Sequence, residues 1–243
     1  MSKIVVKFPT RSRPEKFKSV LQKYIAFLSG KHDIRFVITM DEDDTSMNTP
    51  EIKEWLDSLD IDLKYNYGQS KTKIEACNAD LEGEDGDIIV LISDDMVPCL
   101  EGWDDIIAQG FNQLFPDYCG SIKFNDGLRG PEDLLMTLPV LGFPLYKAMG
   151  HLYHPDYTSI YCDTEMTALF AKMDILAVSP TCIIRHAWLP GDHPDADALH
   201  QRNENAEMYA KDGAIYQERM KNDFDMNSVK ERLDAQRTVE NKT

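Results

Sequence analysis

Gly86-Asp-Ile-Ile-Val-Leu-Ile-Ser-Asp-Asp-Met-Val-Pro98 is the stretch of this 243-residue chain that predicts its fold. Its five consecutive apolar residues, 88 to 92, predict a strand buried on both faces of a sheet. Ser93, Asp94 and Asp95 follow where that strand leaves the sheet, which is where open α/β sheets bind ligands. Two adjacent carboxylates repel each other unless a cation lies beside them. The stretch therefore indicates either a Mg²⁺ or Mn²⁺ site, completed by substrate phosphates, or a solvated turn whose aspartates cap the next helix.

The length allows one large α/β domain or two small ones. A formal net charge of −16 disfavours non-specific binding to nucleic acid or to an anionic membrane. No apolar run approaches the ~20 residues that a membrane span needs, and the N-terminal residues lack the apolar core of a signal peptide. We therefore expect a cytoplasmic protein without a membrane span.

Five cysteines are scattered along the chain without a Cys-x-x-Cys spacing: Cys77, Cys99, Cys119, Cys162 and Cys182. Their odd number and their spacing disfavour a structural zinc site and a disulfide framework. We expect these thiols to be reduced and mostly buried.

Apolar strand patterns alternate with helical patterns along most of the chain, as in α/β folds. The predicted strands are 4–8, 33–40, 61–67, 88–92, 121–124, 175–179 and 182–184, with one more in 134–150. The predicted helices are 15–28, 49–59, 74–81, 98–111 and 162–172, with one more near 150. A turn is expected at 190–193, and the residues after it are polar and helical.

Charged residues follow the first predicted strands. Thr10-Arg-Ser-Arg-Pro14, before a helix N-terminus, would suit a phosphate or nucleotide. The acidic run from Asp41 to Asp44 is either a solvated loop or a part of the same site as Asp94. Lys71 and Lys73 precede a helix that carries Asn78, and they would face either a diphosphate or solvent. Six basic residues cluster early and are usually read as a solvated face: Lys3, Lys7, Arg11, Arg13, Lys16 and Lys18.

In order, these features resemble the GT-A glycosyltransferases, in particular the family-2-like enzymes. The matching features are Pro-Thr-Arg-Ser-Arg-Pro at 9–14, Asp41, a Gly-x-Ser-Lys…Asn helix start at 68–78, Ser-Asp-Asp at 93–95 followed by Met-Val-Pro…Gly-Trp103, an acidic pair opening a later helix, and a late His. The resemblance covers roughly residues 3 to 190. It rests on the ordered set, since no single DXD-like motif is specific.

The resemblance implies a GT-A (nucleotide-diphospho-sugar transferase) fold, an α/β Rossmann-like mixed sheet flanked by helices. Residues 1–192 would be the catalytic domain, with a nucleotide-sugar-binding half at 1–97 and an acceptor-binding half at 98–192. Residues 193–243 would be a C-terminal helical extension.

The resemblance also implies the donor contacts. Thr10, Arg11 and Arg13 would border the nucleotide, and Asp41 would contact its base or ribose. Either Lys71 or Lys73 would approach the base or diphosphate, on the helix start that includes Asn78. Ser93 stands where the family has its first Asp, so the contact to ribose would be weaker or pass to Asp94.

The implied metal and catalytic residues come later in the chain. Asp95 would bind Mn²⁺ or Mg²⁺ that bridges the donor diphosphate, and His186 would complete that site or be a structural His. Asp163 would be the general base of an inverting enzyme, with Glu165 as its rival. Both acids would also be favoured in the first turn of a helix by the helix dipole alone.

The predicted function is therefore metal-dependent transfer of a hexosyl or pentosyl group from a nucleotide sugar, with UDP as the expected nucleotide. A glycan or small molecule is the expected acceptor, and a hydroxylated base in DNA is an alternative that the net charge disfavours. A sugar nucleotidyltransferase is a second reading, although it would carry glycine in the loop after the first strand. A non-catalytic GT-A-like binding module is a third, because Ser93 replaces an acid.

Overall fold

The computed structural model describes residues 1–130, 132–188 and 197–240, and the side chains up to 237. Its strands are β1 (Lys3–Pro9), β2 (Asp33–Asp41), β3 (Asp62–Gly68), β4 (Ile88–Leu91), β5 (Met96–Pro98), β6 (Ser121–Phe124), β7 (Val140–Gly142), β8 (Leu176–Ser179) and β9 (Ile184–His186). Its helices are α1 (Pro14–Ala26), α2 (Pro50–Asp57), α3 (Lys73–Asn78), α4 (Trp103–Leu114), α5 (Phe143–Met149), α6 (Cys162–Lys172), α7 (Ala198–Asn203), α8 (Ala206–Lys221) and α9 (Met226–Glu240), with a 3-10 turn at Asp223–Asp225.

Seven strands form one mixed sheet in the order β3-β2-β1-β4-β7-β6-β8. β1 pairs in parallel with both β2 and β4, whereas β7 runs antiparallel to its two neighbours. The chain leaves β1 toward β2 and β3, then returns to β4 on the other side of β1. That reversal is a topological switch point, where α/β sheets open a crevice for ligands. The predicted α/β mixed sheet flanked by helices is confirmed.

The core lies in two apolar layers, one on each face of this sheet. Ile4, Val6 and Phe8 of β1 point into one layer and Val5 into the other, as the alternation of a strand requires. The first layer contains the apolar sides of α1 and α4, and the second those of α3, α5, α6 and α9. Burial on both faces explains why the central strands are nearly continuous apolar runs.

A small two-stranded sheet lies beside the large one, and the sequence analysis missed half of it. β5 and β9 pair antiparallel, with Met96 opposite His186 and Pro98 opposite Ile184. The predicted helix over 98–111 instead begins at Trp103, after Gly102 with φ of +71°. A three-residue strand is too short to show a period-2 pattern, so its pairing could be seen only in three dimensions.

Lys7 is a buried exception to the expected solvated basic face. Its side chain is fully buried, and its ammonium donates to Thr39 Oγ1 and, at 2.7 Å, to the carbonyl oxygen of Ala79. Burial lowers the pKa of Lys7 to about 8, although the nearby Asp80 acts to raise it. Lys7 therefore ties β1 to β2 and to the loop after α3, rather than contributing a surface charge.

We expect Gly142→Ala to lower the free energy of unfolding by about 3 kcal/mol or more. The added methyl group would meet backbone atoms, which cannot move aside as a flexible side chain can. A Cβ at this junction of β7 and α5 would overlap the backbone carbonyl oxygen of Tyr118. Urea denaturation measures the change. Gly68→Ala is the matched control, because apart from its two chain neighbours no described residue has an atom within 4 Å of a Cβ there. Equal unfolding midpoints for the two variants would contradict the expectation.

The C-terminal helices pack back onto the α/β core. α9 lies along α5, and Val229 and Leu233 are buried in the second apolar layer. Among the described residues, no helix has the length and apolar character that crossing a membrane requires. The predicted domain boundary between 192 and 193, and the predicted turn at 190–193, lie outside the described residues. The division of residues 1–192 into two halves stays a prediction.

Candidate functional site

A cavity of about 360 Å³ opens at the carboxyl ends of β1, β2 and β4, at the switch point of the sheet. Parallel strands bring their carboxyl ends to one edge, so residues far apart in the chain meet there. Ten of the predicted site residues line this cavity: Thr10, Arg11, Arg13, Asp41, Lys73, Ser93, Asp94, Asp95, Asp163 and His186.

Asp94 joins the ends of β1 and β4. Its carboxylate accepts a hydrogen bond of 3.1 Å from Thr10 Oγ1 and one of 2.6 Å from Arg13 Nη1. Burial raises the pKa of Asp94, while the Arg13 charge opposes that rise. Asp94 therefore holds the loop after β1 against the end of β4, with the Arg13 guanidinium at the cavity wall.

Arg11 and Asp41 form a second ion pair at the ends of β1 and β2. Arg11 Nη1 lies 2.5 Å from Asp41 Oδ2 and 2.6 Å from Asp43 Oδ1. Hydrogen bonds to Asp43 and then Asp41 raise the pKa of Arg11. The other oxygen of Asp41, Oδ1, is buried and has no hydrogen-bond partner among the described residues. Asp41 itself is among the described residues that line the cavity.

Asp95 and His186 face each other across the small sheet. Ala187 donates its backbone N–H to the Asp95 carbonyl at 2.7 Å, and this pairing places His186 Nε2 3.7 Å from Asp95 Oδ1. Burial acts to raise the pKa of Asp95, but His186 and the hydroxyl of Ser93 together hold it well below its usual range. The carboxylate is therefore ionised at neutral pH.

This carboxylate and imidazole fit two ligands of a divalent ion. Two bonds of about 2.1 Å to one ion separate their donor atoms by roughly 3 to 4 Å, and the 3.7 Å observed lies in that range. His186 Nδ1 is buried without a hydrogen-bond partner among the described residues. No group of three or more His, Cys, Asp or Glu side chains in the described chain forms a complete metal site. A divalent ion at this position would therefore also need oxygen atoms from a molecule bound in the cavity.

Asp163 lines the same cavity from the start of α6. The helix begins after Tyr161, which has a φ of +62° and therefore turns the chain sharply. The Asp163 carboxylate accepts the backbone N–H of Thr164 at 2.8 Å. It thus stands at a helix start, on the same cavity as the Asp95 and His186 pair.

Glu165, the predicted rival of Asp163 as the base, is not among the described residues that line this cavity. Its buried carboxylate accepts a hydrogen bond of 2.7 Å from the Tyr157 hydroxyl and two from Arg219, at 2.7 and 2.8 Å. It lines a separate cavity of about 210 Å³ on the α8 side. With both oxygens bound to a guanidinium, Glu165 ties α6 to α8.

Asn78 and Lys71 are also placed outside the cavity lining. Asn78 Oδ1 accepts the backbone N–H groups of Leu152 and Tyr153, at 2.9 and 3.1 Å, and Asn78 Nδ2 donates to the Tyr153 carbonyl. Asn78 therefore fixes the loop after α5. Lys71 is exposed, and of the two lysines Lys73 lines the cavity.

The C-terminal helices supply one wall of the cavity, which the sequence analysis did not foresee. Arg13 Nε lies 2.6 Å from Asp197 Oδ2, and Arg13 Nη2 lies 2.8 Å from His200 Nδ1. Asp197 also caps α7 through the backbone N–H groups of Leu199 and His200. Other lining residues from this region are Arg202, Asn203, Glu204 and Tyr209. The extension is part of the site.

Asp212 of α8 holds the loop that leads to Asp163. Its fully buried carboxylate accepts three consecutive backbone N–H groups, those of Thr158, Ser159 and Ile160, at 2.8 to 3.1 Å. Ser159 and Ile160 line the cavity just before α6 begins. A lone Asp in a polar helix gives no sequence signal for this contact.

No protein-family model and no curated protein matches the chain. Solved structures do match. The mannosyltransferase PcManGT from Pyrobaculum calidifontis, in complex with GDP-Man and Mn²⁺, superposes with a TM-score of 0.62 at 15% identity, over 96% of this chain and 74% of that one. S. aureus TarS 1-349 in complex with UDP gives 0.56 at 14% identity, over 78% of this chain and 62% of the fragment. The same fragment in complex with UDP-GlcNAc gives 0.55.

These likenesses establish the architecture. The chain has the GT-A fold, as the sequence resemblance predicted. It spans less than two thirds of the TarS fragment and about three quarters of PcManGT.

Proposed function

We propose that this chain, which has the GT-A fold, is a metal-dependent glycosyltransferase that moves a sugar from a nucleotide-sugar donor to an acceptor hydroxyl. The observation that carries the proposal is that Asp95, His186 and Asp163 line one cavity, from the turn before β5, from β9 and from α6. A carboxylate–imidazole pair suits a divalent ion, and a separate carboxylate suits proton transfer.

The donor would lie along the ends of β1, β2 and β4. Arg11, Arg13 and Lys73 supply positive charge for a diphosphate, and the buried Asp41 Oδ1 supplies an acceptor for a base or ribose. UDP is the nucleotide to test first and GDP the second, since the similar structures hold UDP, UDP-GlcNAc and GDP-Man.

Asp95 and His186 would hold Mn²⁺ or Mg²⁺. When bound, the ion would act as a Lewis acid that neutralises the charge of the departing diphosphate. Asp95 is suited to this role because it stays ionised at neutral pH. The diphosphate oxygens would complete the coordination that two protein ligands leave open.

Asp163 would take the proton of the acceptor hydroxyl as its oxygen attacks the anomeric carbon. The new carbon–oxygen bond forms while the bond from that carbon to the diphosphate oxygen breaks. The sugar is thereby transferred to the acceptor with inverted configuration at the anomeric carbon. The products are the glycosylated acceptor, the nucleoside diphosphate and a protonated Asp163. The transferred sugar would be a hexosyl or pentosyl group. The aromatic side chains of Tyr153, Tyr161 and Tyr209, which line the cavity, suit a glycan or small-molecule acceptor.

Thermal unfolding with nucleoside diphosphates and nucleotide sugars, with and without Mn²⁺, tests the donor site. We expect the melting temperature to rise by about 5 to 10 °C when nucleotide and Mn²⁺ are both present near 100 times the Kd. Asp95→Asn should lose the part of the rise that depends on Mn²⁺. Asp60→Ala, an exposed acid outside the cavity, is the control and should behave as the wild type.

The outcomes of this experiment distinguish the proposed function from its alternatives. No rise with any nucleotide would overturn the donor site. A rise that persists unchanged in Asp95→Asn would overturn the assigned metal ligand. Binding without turnover of any nucleotide sugar would favour a GT-A-like binding module.

A further inference from the structure

Cys99 and Cys182 form a close thiol pair outside the cavity. Their Sγ atoms lie 3.7 Å apart, and Cys99 Sγ donates to the Cys182 carbonyl at 3.1 Å. A disulfide bond is about 2.05 Å long, so closing it needs an approach of only about 1.7 Å. The two residues are 83 positions apart in the chain, and pairing of two short strands alone brings them together.

The pair lies at the far end of the small sheet from the candidate metal ligands. The β5–β9 ladder runs from Asp95 and Ala187 at the cavity to Cys99 and Ile183 at the other end, where the Cys99 N–H donates to the Ile183 carbonyl at 2.9 Å. Four residues of extended chain place Cys99 about 13 Å from Asp95. Neither cysteine is among the described residues that line the cavity.

The two thiols differ in access. Cys99 is exposed, whereas Cys182 is half-buried and packs against the turn at Gly127. Burial, followed by the hydrogen bond with Cys99, raises the pKa of Cys182 to about 11. Cys99 is therefore the thiol that a dissolved oxidant meets first, and Cys182 is placed to react second.

We propose that Cys99 and Cys182 are an oxidisable pair that closes to a disulfide across β5 and β9 and stabilises the strand pair that carries Asp95 and His186. A single cross-link of this kind would not be the disulfide framework that the sequence analysis disfavours. The proposal concerns a covalent modification site and is independent of the proposed activity.

The chemistry is exchange with a low-molecular-weight disulfide such as oxidised glutathione. The Cys99 thiolate attacks one sulfur of that disulfide, which forms a mixed disulfide and releases one thiol. Cys182, after losing its proton to water, attacks Cys99 Sγ and releases the second thiol. The two cysteines lose two electrons and two protons in total, and the small disulfide is reduced to two thiols.

The test treats the full chain with oxidised glutathione, blocks remaining thiols by alkylation and maps disulfide-linked peptides by mass spectrometry. We expect a Cys99–Cys182 peptide pair, with no lasting glutathione adduct on the wild type. The oxidised protein should melt about 5 °C or more above the reduced protein, because the cross-link closes a long loop in the unfolded chain.

Two single variants separate the roles of the thiols. Cys182→Ser should retain a glutathione adduct on Cys99, and Cys99→Ser should acquire little adduct at Cys182. The double variant should melt at the same temperature with and without oxidant. A persistent adduct on wild-type Cys99, a disulfide between other cysteines, or an unchanged melting temperature of the cross-linked protein would each overturn the proposal.

Discussion

Replacing Asp163 by Asn should lower kcat by about 100- to 10,000-fold while leaving nucleotide binding intact. An amide has the size of the carboxylate but does not take up a proton, so the acceptor hydroxyl would lose its base. The measurement is release of the nucleoside diphosphate from the donor that thermal unfolding identifies, with sugars as acceptors. The Mn²⁺-dependent rise in melting temperature should match that of the wild type.

Glu165→Gln is the matched control, because it lies in the same turn of α6. It should leave kcat within a few-fold of the wild type. It should also lower the free energy of unfolding by about 2 kcal/mol, since the half-buried Arg219 guanidinium loses one charged partner and keeps the other, Asp225. A large loss of kcat in Glu165→Gln, with an active Asp163→Asn, would mean that the two assignments are reversed.

Replacing Asp212 by Ala should lower the free energy of unfolding by about 3 to 5 kcal/mol. The change leaves three backbone N–H groups without their acceptor, one of them buried and two half-buried, and each unpaired buried donor carries a desolvation cost of about 1 to 3 kcal/mol. Urea denaturation measures the loss. Activity should also fall in molecules that stay folded, because the loop before Asp163 is no longer held.

Glu218→Ala serves as the control on the same helix. Its exposed ion pair with Lys221 should contribute less than about 0.5 kcal/mol. A loss in Asp212→Ala no larger than that of Glu218→Ala would show that the loop keeps its conformation by its own contacts.

The sheet centre could be predicted because burial on both faces demands an apolar residue at every position, which is a local signal. Thr10, Asp41 and Asp94 follow the ends of three of these strands. They could be predicted to lie close together, since the carboxyl ends of parallel strands lie at one edge of the sheet. Even so, Lys7 interrupts such a strand with a buried ammonium. Its acceptors come from β2 and from the loop after α3, so nothing near it in sequence indicated burial.

The positions of the other site residues could not be predicted from local sequence patterns. Asp163 and Glu165 share a helical turn. Side chains two positions apart in a helix point in directions about 200° apart, so Asp163 faces the cavity and Glu165 faces α8. Which of them faces the cavity depends on how α6 packs. The contact of Arg13 with Asp197 joins positions 184 residues apart. The polar sequence of the C-terminal helices predicts that they are solvated, so it gave no indication of this contact.

The α8 contacts have a consequence for the order in which a newly made chain matures. Asp212 follows Asp163 by 49 residues, and ribosomes add about 5 to 20 residues per second. For roughly 2 to 10 s the nascent polypeptide contains Asp163 but not the carboxylate that arranges the preceding loop, and the last strands, β8 and β9, are added early in that interval. Arg219, the partner of Glu165, emerges later still. The loop that lines the cavity is therefore held in place only after all the strands of the sheet have been synthesised.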